Sequence, residues 1–136
     1  MVERGVIRNR HYATQIRDFS GLRYGNITPT DGDFEIEYQN ICWVFGELKH
    51  CAAALPNGQR LALERKCDDM SNVKPTLLIV ASHNTDGDID VANTTVTEFR
   101  FERKWRMPAN SITTKELIDR FLKWAKVGKR LREGKV

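Results

Sequence analysis

The sequence predicts an α/β or α+β protein in which a mixed β-sheet packs against helices. Segments with apolar residues at every second position follow, along the chain, segments whose apolar residues recur every three or four positions. In chain order they read helix, strands, helix, strand, strand, helix. The chain has 136 residues, 40% of them hydrophobic, which is enough for one core and too few for two. We therefore expect one domain spanning residues 1–136.

The N-terminal part of this series contains a helix and a short strand. RHYATQIRDF, residues 10–19, spaces Tyr12, Ile16 and Phe19 four and three positions apart, which predicts a helix that ends at Ser20-Gly21. GLRYGNIT, residues 21–28, predicts a first strand.

A β-hairpin follows. FEIEY, residues 34–38, alternates apolar and acidic side chains, and Gln39-Asn40 predicts a turn. ICWVFGELKH, residues 41–50, is nearly all apolar until Glu47, as expected of a central strand covered on both faces.

The second half adds two helices and two strands. QRLALERKCDDM, residues 59–70, has helical spacing, and TLLIVASHN, residues 76–84, predicts a buried strand. A polar loop at residues 84–93 leads to TTVTEFRFERKWR, residues 94–106, which predicts one alternating strand. A capping box at residues 113–116 opens a C-terminal helix with an apolar stripe of Leu117, Ile118, Phe121, Leu122 and Ala125.

Composition limits the protein class. No apolar run approaches the roughly 18 residues of a membrane span, and the N-terminus lacks the apolar stretch of a signal peptide. The sequence therefore predicts no membrane partner and a cytoplasmic location. The three cysteines, Cys42, Cys51 and Cys67, form no CxxC motif, which favours reduced thiols in the core over a disulfide framework or a zinc ribbon.

Charge is unevenly distributed. The net charge is +4, yet acidic residues concentrate between residues 31 and 37, and basic residues concentrate between residues 100 and 106. A basic body around an acidic spot is typical of a protein that binds a polyanion through a metal ion. A solvated basic helix that ends the chain explains the charge equally well.

The hairpin brings the acidic residues together. Side chains two apart on a strand share a face, so Glu47 shares one with Lys49. If the hairpin pairs about Gln39-Asn40, Asp33 and Glu47 lie opposite one another, about 5 Å apart at Cβ. Three further acids share the face of the first arm: Asp31, Glu35 and Glu37.

Two facing carboxylates repel each other unless a cation lies between them. Carboxylate oxygens without Cys or His at ligand spacing favour Mg²⁺ or Mn²⁺ over Zn²⁺. Lys49, one step beyond, could then hold an attacking water or stabilise charge on a phosphate. The alternative is a solvated acidic face with Lys49 in a surface ion pair.

The motif of Asp33 followed by Glu47-Leu48-Lys49 resembles the PD-(D/E)xK nuclease superfamily. This resemblance implies a restriction-endonuclease-like αβββαβ core, here with an added C-terminal helix, and it is nearest to small phage-type, RecB-like and Holliday-junction-resolvase-like members. It is carried by NITPTDGDFEIEY, FGELKH and LPNGQRLALER, and it spans roughly residues 20–105.

The resemblance assigns roles to individual residues. Asp33 and Glu47 would bind Mg²⁺ or Mn²⁺ together with the backbone carbonyl of Leu48, and Asp31 is a second candidate ligand. Lys49 would be the catalytic lysine.

Gln59 resembles the glutamine that opens the next helix in RecB-like members. It falls on the side of the helix that faces inward, where a polar amide needs a partner, and this position supports the assignment. A glutamine satisfied by the helix N-terminus is the alternative. Candidate contacts to the DNA backbone are Arg60, Arg65, Arg100, Lys104 and Arg106. Trp105 is available to stack on a base, although burial in the core is favoured for it.

The remaining motifs are weaker. DGDID, residues 86–90, imitates a calcium loop but lacks the Gly and Glu that an EF-hand requires, which predicts an ordinary loop. His50 could approach a phosphate, although a surface histidine is favoured, and His83 is a candidate substrate contact at a strand end.

Together with the charge pattern, the resemblance implies a metal-dependent DNA nuclease, and we expect an endonuclease. It would act in phage DNA processing, recombination or repair, within the host cytoplasm if phage-encoded. The DNA could be single-stranded, branched or duplex, and the protein a monomer or a homodimer. One alternative is a catalytically inactive nucleic-acid-binding module on the same fold. Another is a basic interaction protein unrelated to nucleic acid.

Overall fold

The computed structural model describes Asp18, residues 20–27 and residues 32–134. The chain divides into two units, residues 1–31 and residues 32–136, and the prediction of a single domain stays a prediction. In the first unit, Tyr24 and Ile27 form an isolated antiparallel bridge around Gly25, whose φ of +67° suits a turn. The predicted strand at residues 21–28 is thus a turn over its described part. Apart from Asp18, the predicted helix at residues 10–19 lies outside the described residues.

The second unit begins with the predicted hairpin. β1 (Phe34–Tyr38) pairs antiparallel with β2 (Cys42–His50), with Phe34 opposite Gly46. Gln39 and Asn40 have φ of 47° and 60°, a left-handed conformation that suits hairpin turns and that Asn tolerates well. The hairpin and its register are confirmed.

A helical crossover joins β2 to a parallel neighbour. α1 (Asn57–Ser71) leads from β2 to β3 (Thr76–His83), which pairs in parallel with β2. Such a connection needs a dozen or more residues, usually a helix. Both predicted elements are confirmed, and β2 lies between β1 and β3 as a central strand.

The segment predicted as one strand at residues 94–106 is in fact a second hairpin. β4 (Thr95–Phe101) pairs antiparallel with β3, and β5 (Lys104–Arg106) folds back onto β4. The chain reverses at Glu102 and Arg103, with φ of 53° and 65°. The alternating pattern continues through this turn without Gly, Asn or Pro, so the pattern alone does not reveal it.

α2 (Thr114–Arg132) completes the unit. The Thr113 hydroxyl accepts a hydrogen bond from the backbone N–H of Glu116 over 3.2 Å, so the predicted capping box forms. Basic residues in the last turn complement the negative end of the helix dipole.

The two helices pack against different sets of sheet residues. α1 contributes Leu63 and Cys67 to a small cluster with Phe45 and Leu78. α2 packs against the larger cluster, and the alternation of strand side chains separates the two sets. The larger cluster comprises Ile41, Cys42, Val44, Leu77, Ile79, Ala81, Val96, Ile112, Phe121 and Ala125.

Gly46 allows β2 to approach its neighbours closely. A Cβ atom at this position would lie 2.9 Å from the backbone oxygen of Ile79 and would overlap the Phe34 ring. Only glycine therefore fits beside the start of β1 without displacing backbone.

The described unit is thus an α+β fold with a five-stranded mixed sheet in the order β1-β2-β3-β4-β5 and two helices. The predicted fold class is confirmed at this level. Within the described residues, neither helix combines the length and the apolar character that a membrane crossing requires.

Candidate functional site

The predicted site residues lie at the edge of the sheet where β1 begins and where β2 and β3 end. Phe34 pairs with Gly46, so one step further out Asp33 stands opposite Glu47. Glu47 and Lys49 are two residues apart on β2 and therefore share a sheet face. That face carries Phe45, which packs against α1, so the site lies beneath the first turn of α1.

Asp33 is exposed and is tied to the neighbouring strand. Its Oδ2 accepts a hydrogen bond from the backbone N–H of Leu48 over 2.6 Å. This bond fixes the Asp33 carboxylate beside β2, one residue from Glu47.

Glu47 is a buried carboxylate with incomplete pairing. Its side chain is 8% exposed, and its Oε2 has no hydrogen-bond partner in the described part of the chain. Burial raises the pKa of Glu47, and the negative charge of Asp33 raises this pKa further, against the opposing influence of Gln59 and Lys49. A buried carboxylate oxygen without a donor is costly unless a ligand compensates it.

Lys49 connects this carboxylate to α1. Its Nζ lies 3.5 Å from Oε1 of Glu47 and donates a hydrogen bond to Oε1 of Gln59 over 3.0 Å. Gln59 is the third residue of α1 and is partly buried. A glutamine satisfied only by the helix N-terminus does not describe this arrangement, because its amide oxygen accepts from Lys49.

The four residues predicted as catalytic therefore meet at one place, although they come from β2, α1 and the start of β1. Asp33, Glu47, Lys49 and Gln59 are linked in one network of hydrogen bonds and charges. Asp31, the second candidate ligand, lies outside the described residues.

The other acidic residues of β1 have local partners. Glu35 forms an ion pair with Lys66 of α1, with 3.0 Å between Oε1 and Nζ. Glu37 accepts a hydrogen bond from the backbone N–H of Asn40 over 2.7 Å, which helps to close the hairpin turn. These contacts direct Glu35 and Glu37 to partners other than Asp33 and Glu47.

The carboxylate oxygens at the site are suited to a hard divalent cation that takes few of its ligands from the protein. Among residues 32–134 and the other described positions, no group of three or more His, Cys, Asp or Glu side chains could hold a metal ion. Mg²⁺ commonly uses only one or two carboxylates and keeps several waters. The carboxylates of Asp33 and Glu47, which repel each other, could act in that way, with the unpaired Oε2 of Glu47 as one ligand.

Two of the predicted DNA contacts are engaged within the protein. Arg100 donates two hydrogen bonds of 2.9 Å to the carboxylate of Asp68, and this lowers the pKa of Asp68. Arg60 pairs with Glu98 and covers the ring of Trp105, 4.0 Å from its centroid. Trp105 packs against the cluster that contains Leu63 and Cys67, in agreement with the core position favoured for it from the sequence.

The other predicted contacts lie at the surface. Arg65 on α1 and Lys104 on β5 are exposed. Arg106 is also exposed, and it pairs with Glu102 over 3.5 Å. These three side chains do not share one surface element, since Arg65 lies on a helix and the other two lie on the edge strand.

Two histidines end β2 and β3 side by side. His50 pairs with His83, and the rings meet edge to face with centroids 5.2 Å apart. His50 Nε2 lies 3.5 Å from Oδ1 of Asp86, in the segment predicted as a loop and observed as one. The Nδ1 of His83 is buried without a hydrogen-bond partner in the described residues.

Ser82 is a structural support of this edge that the sequence pattern does not reveal. It stands opposite Lys49, and its hydroxyl accepts a hydrogen bond from the backbone N–H of Ala52 over 2.8 Å. This bond holds a turn in which Cys51 and Ala52 have φ of 50° and 57°. A single serine at the end of a buried strand forms no periodic sequence pattern, so the sequence does not identify this role.

Comparison with protein-family models, with curated proteins and with solved structures gives no match for this chain.

Proposed function

We propose that this protein is a Mg²⁺- or Mn²⁺-dependent nuclease that hydrolyses phosphodiester bonds of DNA, with a core of the PD-(D/E)xK type. The observation that carries the proposal is the convergence of Asp33, Glu47, Lys49 and Gln59 at one sheet edge. A motif of this length arises often by chance, but its residues need not then meet in space.

The strands support a cation site between Asp33 and Glu47. The N–H of Leu48 points to Asp33, and the N–H and C=O of one strand residue point to the same neighbour. The Leu48 carbonyl is therefore directed to the side on which Asp33 lies, as a third oxygen ligand. A bound cation would neutralise charge on the phosphate and acidify a coordinated water.

Lys49 is placed to act on the reacting phosphate. Its side chain is 20% exposed, and contacts with Gln59 and Glu47 fix the direction of its ammonium group. A positioned ammonium can hold the attacking water and stabilise negative charge on a phosphate oxygen. Gln59 acts through Lys49 and is a positioning residue.

The contacts that each basic side chain makes within the protein decide which of them we propose as DNA contacts. Arg60 and Arg100 stabilise the packing of α1 on β4 through Glu98 and Asp68. Backbone contacts to DNA are therefore proposed for the exposed Arg65, Lys104 and Arg106.

The test is incubation of the pure protein with labelled single-stranded, duplex and branched DNA, with Mg²⁺, Mn²⁺ or EDTA. We expect cleavage only with metal, and we expect its loss in Asp33→Ala, Glu47→Ala and Lys49→Ala. Glu35→Gln is the matched control, because Glu35 lies on the same strand as the site but pairs with Lys66. Undiminished cleavage by all three alanine variants overturns the proposal, and metal-independent binding without any product supports the inactive module instead.

A further inference from the structure

A second surface feature lies at the opposite end of the sheet. It is a cleft of about 760 Å³ bordered by the β1–β2 turn, the segment before β3, the β4–β5 turn and the last turns of α2. β3 starts at the cleft and ends at the candidate catalytic edge, and its eight residues place the two features roughly 23 Å apart. The cleft is therefore separate from the catalytic residues.

The cleft is lined by cations. Lys74, Arg103, Lys129 and Arg132 border it, against two acids, Glu102 and Glu133. Each of these acids has a cationic partner: Glu102 pairs with Arg106 over 3.5 Å, and Glu133 pairs with Lys129 over 3.8 Å.

Two of the cations are oriented by neutral groups. Lys74 donates to the amide oxygen of Asn40. Arg103 donates to the amide oxygen of Asn72 and to the backbone oxygen of Asp68 over 3.3 Å. These contacts hold the two side chains in place. The Asp68 carboxylate also attracts Arg103, but it is already paired with Arg100, so positive charge remains available to an anion.

An exposed aromatic ring borders the same cleft. Trp124 is 49% exposed, although it is held by Phe101, edge to face at 5.0 Å, and by Phe121, stacked at 5.9 Å. A ring that is fixed by two neighbours and still half exposed can offer surface to a stacked base. Helix-dipole complementarity accounts for basic residues at the end of α2, but it does not account for an exposed Trp or for Lys74 and Arg103 on other elements.

We propose that this cleft binds a short single-stranded nucleic-acid segment, with one base stacked on Trp124 and phosphates held by Lys74, Arg103 and Arg132. Aromatic stacking combined with a basic groove is the general means by which proteins hold single strands. The volume of the cleft lies within the range of roughly 300–1,000 Å³ of ligand sites. The inference does not depend on cleavage at the other edge of the sheet.

The test measures fluorescence anisotropy of a fluorescein-labelled eight-residue oligothymidylate with the full chain, in EDTA and at low salt, so that cleavage plays no part. We expect saturable binding that Trp124→Ala weakens roughly tenfold or more, the size of a lost base stack. Arg132→Glu should weaken it to a similar extent, because a phosphate contact is replaced by repulsion. Trp124→Phe should retain most of the affinity. The matched control is Arg130→Glu, the same charge change on the same helix at an exposed position outside the cleft, and it should change affinity less than twofold.

Lys74→Glu gives an independent test, because Lys74 lies in the segment before β3 and not on α2. Circular dichroism confirms that each variant is folded before its affinity is compared. Absence of saturable binding overturns the inference. Equal weakening by Arg132→Glu and Arg130→Glu also overturns the inference, because that result indicates diffuse electrostatic attraction. Competition by duplex DNA or by a mononucleotide that is as strong as competition by the single strand overturns it as well.

Discussion

Lys49 on β2 donates a hydrogen bond of 3.0 Å from Nζ to Oε1 of Gln59 on α1. This bond connects the central strand to the helix that crosses over it and fixes the ammonium beside Glu47, 3.5 Å from its Oε1. A flexible lysine would otherwise sample many rotamers, which costs side-chain entropy when it must act at one place.

Removing the Gln59 amide should therefore lower activity without unfolding the protein. For Gln59→Ala we expect cleavage to fall about 10- to 100-fold, the usual cost of losing a group that orients a catalytic one. Asn57→Ala is the control, since Asn57 is exposed in the same turn of α1. Steady-state cleavage rates measure the effect, and equal rates for Gln59→Ala and the wild type would show that Lys49 needs no such support.

Glu47 should make stability depend on pH. Its pKa is raised above the ordinary 4.5 by burial and by Asp33, so the folded state binds this proton more tightly than the unfolded state. The associated stability is present below pH 4.5 and is lost as pH rises through the raised pKa. In EDTA, Glu47→Gln should match the wild type near pH 4 and be more stable than the wild type at pH 7, because burial and the charge of Asp33 both disfavour the ionised carboxylate.

Urea denaturation of both proteins at the two pH values measures this difference. Glu35→Gln controls for the loss of a carboxylate from the same hairpin and should show no such gain, because Glu35 pairs with Lys66. If Glu47→Gln were less stable than the wild type at pH 7 in EDTA, the carboxylate would be favourably paired in the protein alone.

Arg100 should contribute strongly to the stability of the folded protein. Its side chain is 11% exposed, and Asp68 is 21% exposed, so Arg100→Ala leaves a partly buried carboxylate without its bidentate partner. We expect a loss of about 3 kcal/mol in the free energy of unfolding. Lys104→Ala, at an exposed position on β5, should change this free energy by less than about 0.5 kcal/mol. Comparable losses for the two variants in thermal or urea unfolding would contradict the structural role given to Arg100.

The sequence predicted much of the site because local rules determine it. A turn at Gln39-Asn40 and strict alternation in residues 34–38 set the hairpin register, and this register places Asp33 against Glu47. Gln59 is at helical spacing from Leu63 and Cys67, which predicted that it lies on the inward side of the helix. The three features are short-range, and each survives in the folded structure.

Other features depend on contacts that no local pattern encodes. Arg60 and Arg100 read as free basic residues, yet their partners Glu98 and Asp68 lie more than 30 residues away in the chain. The turn at Glu102-Arg103 has left-handed backbone conformations at two residues that seldom adopt them. Trp124 follows Phe121 by three positions, a helical spacing, but sequence does not tell whether such a ring is buried or lines a cleft.

The most direct test of the account is a calorimetric titration of the pure protein with Mn²⁺, since the central claim is that Asp33 and Glu47 form a divalent-cation site. We predict one saturable site per chain that is lost in Asp33→Asn and in Glu47→Gln and retained in Glu35→Gln. Absence of Mn²⁺ binding by the wild-type protein, or binding unchanged in both site variants, would contradict the claim.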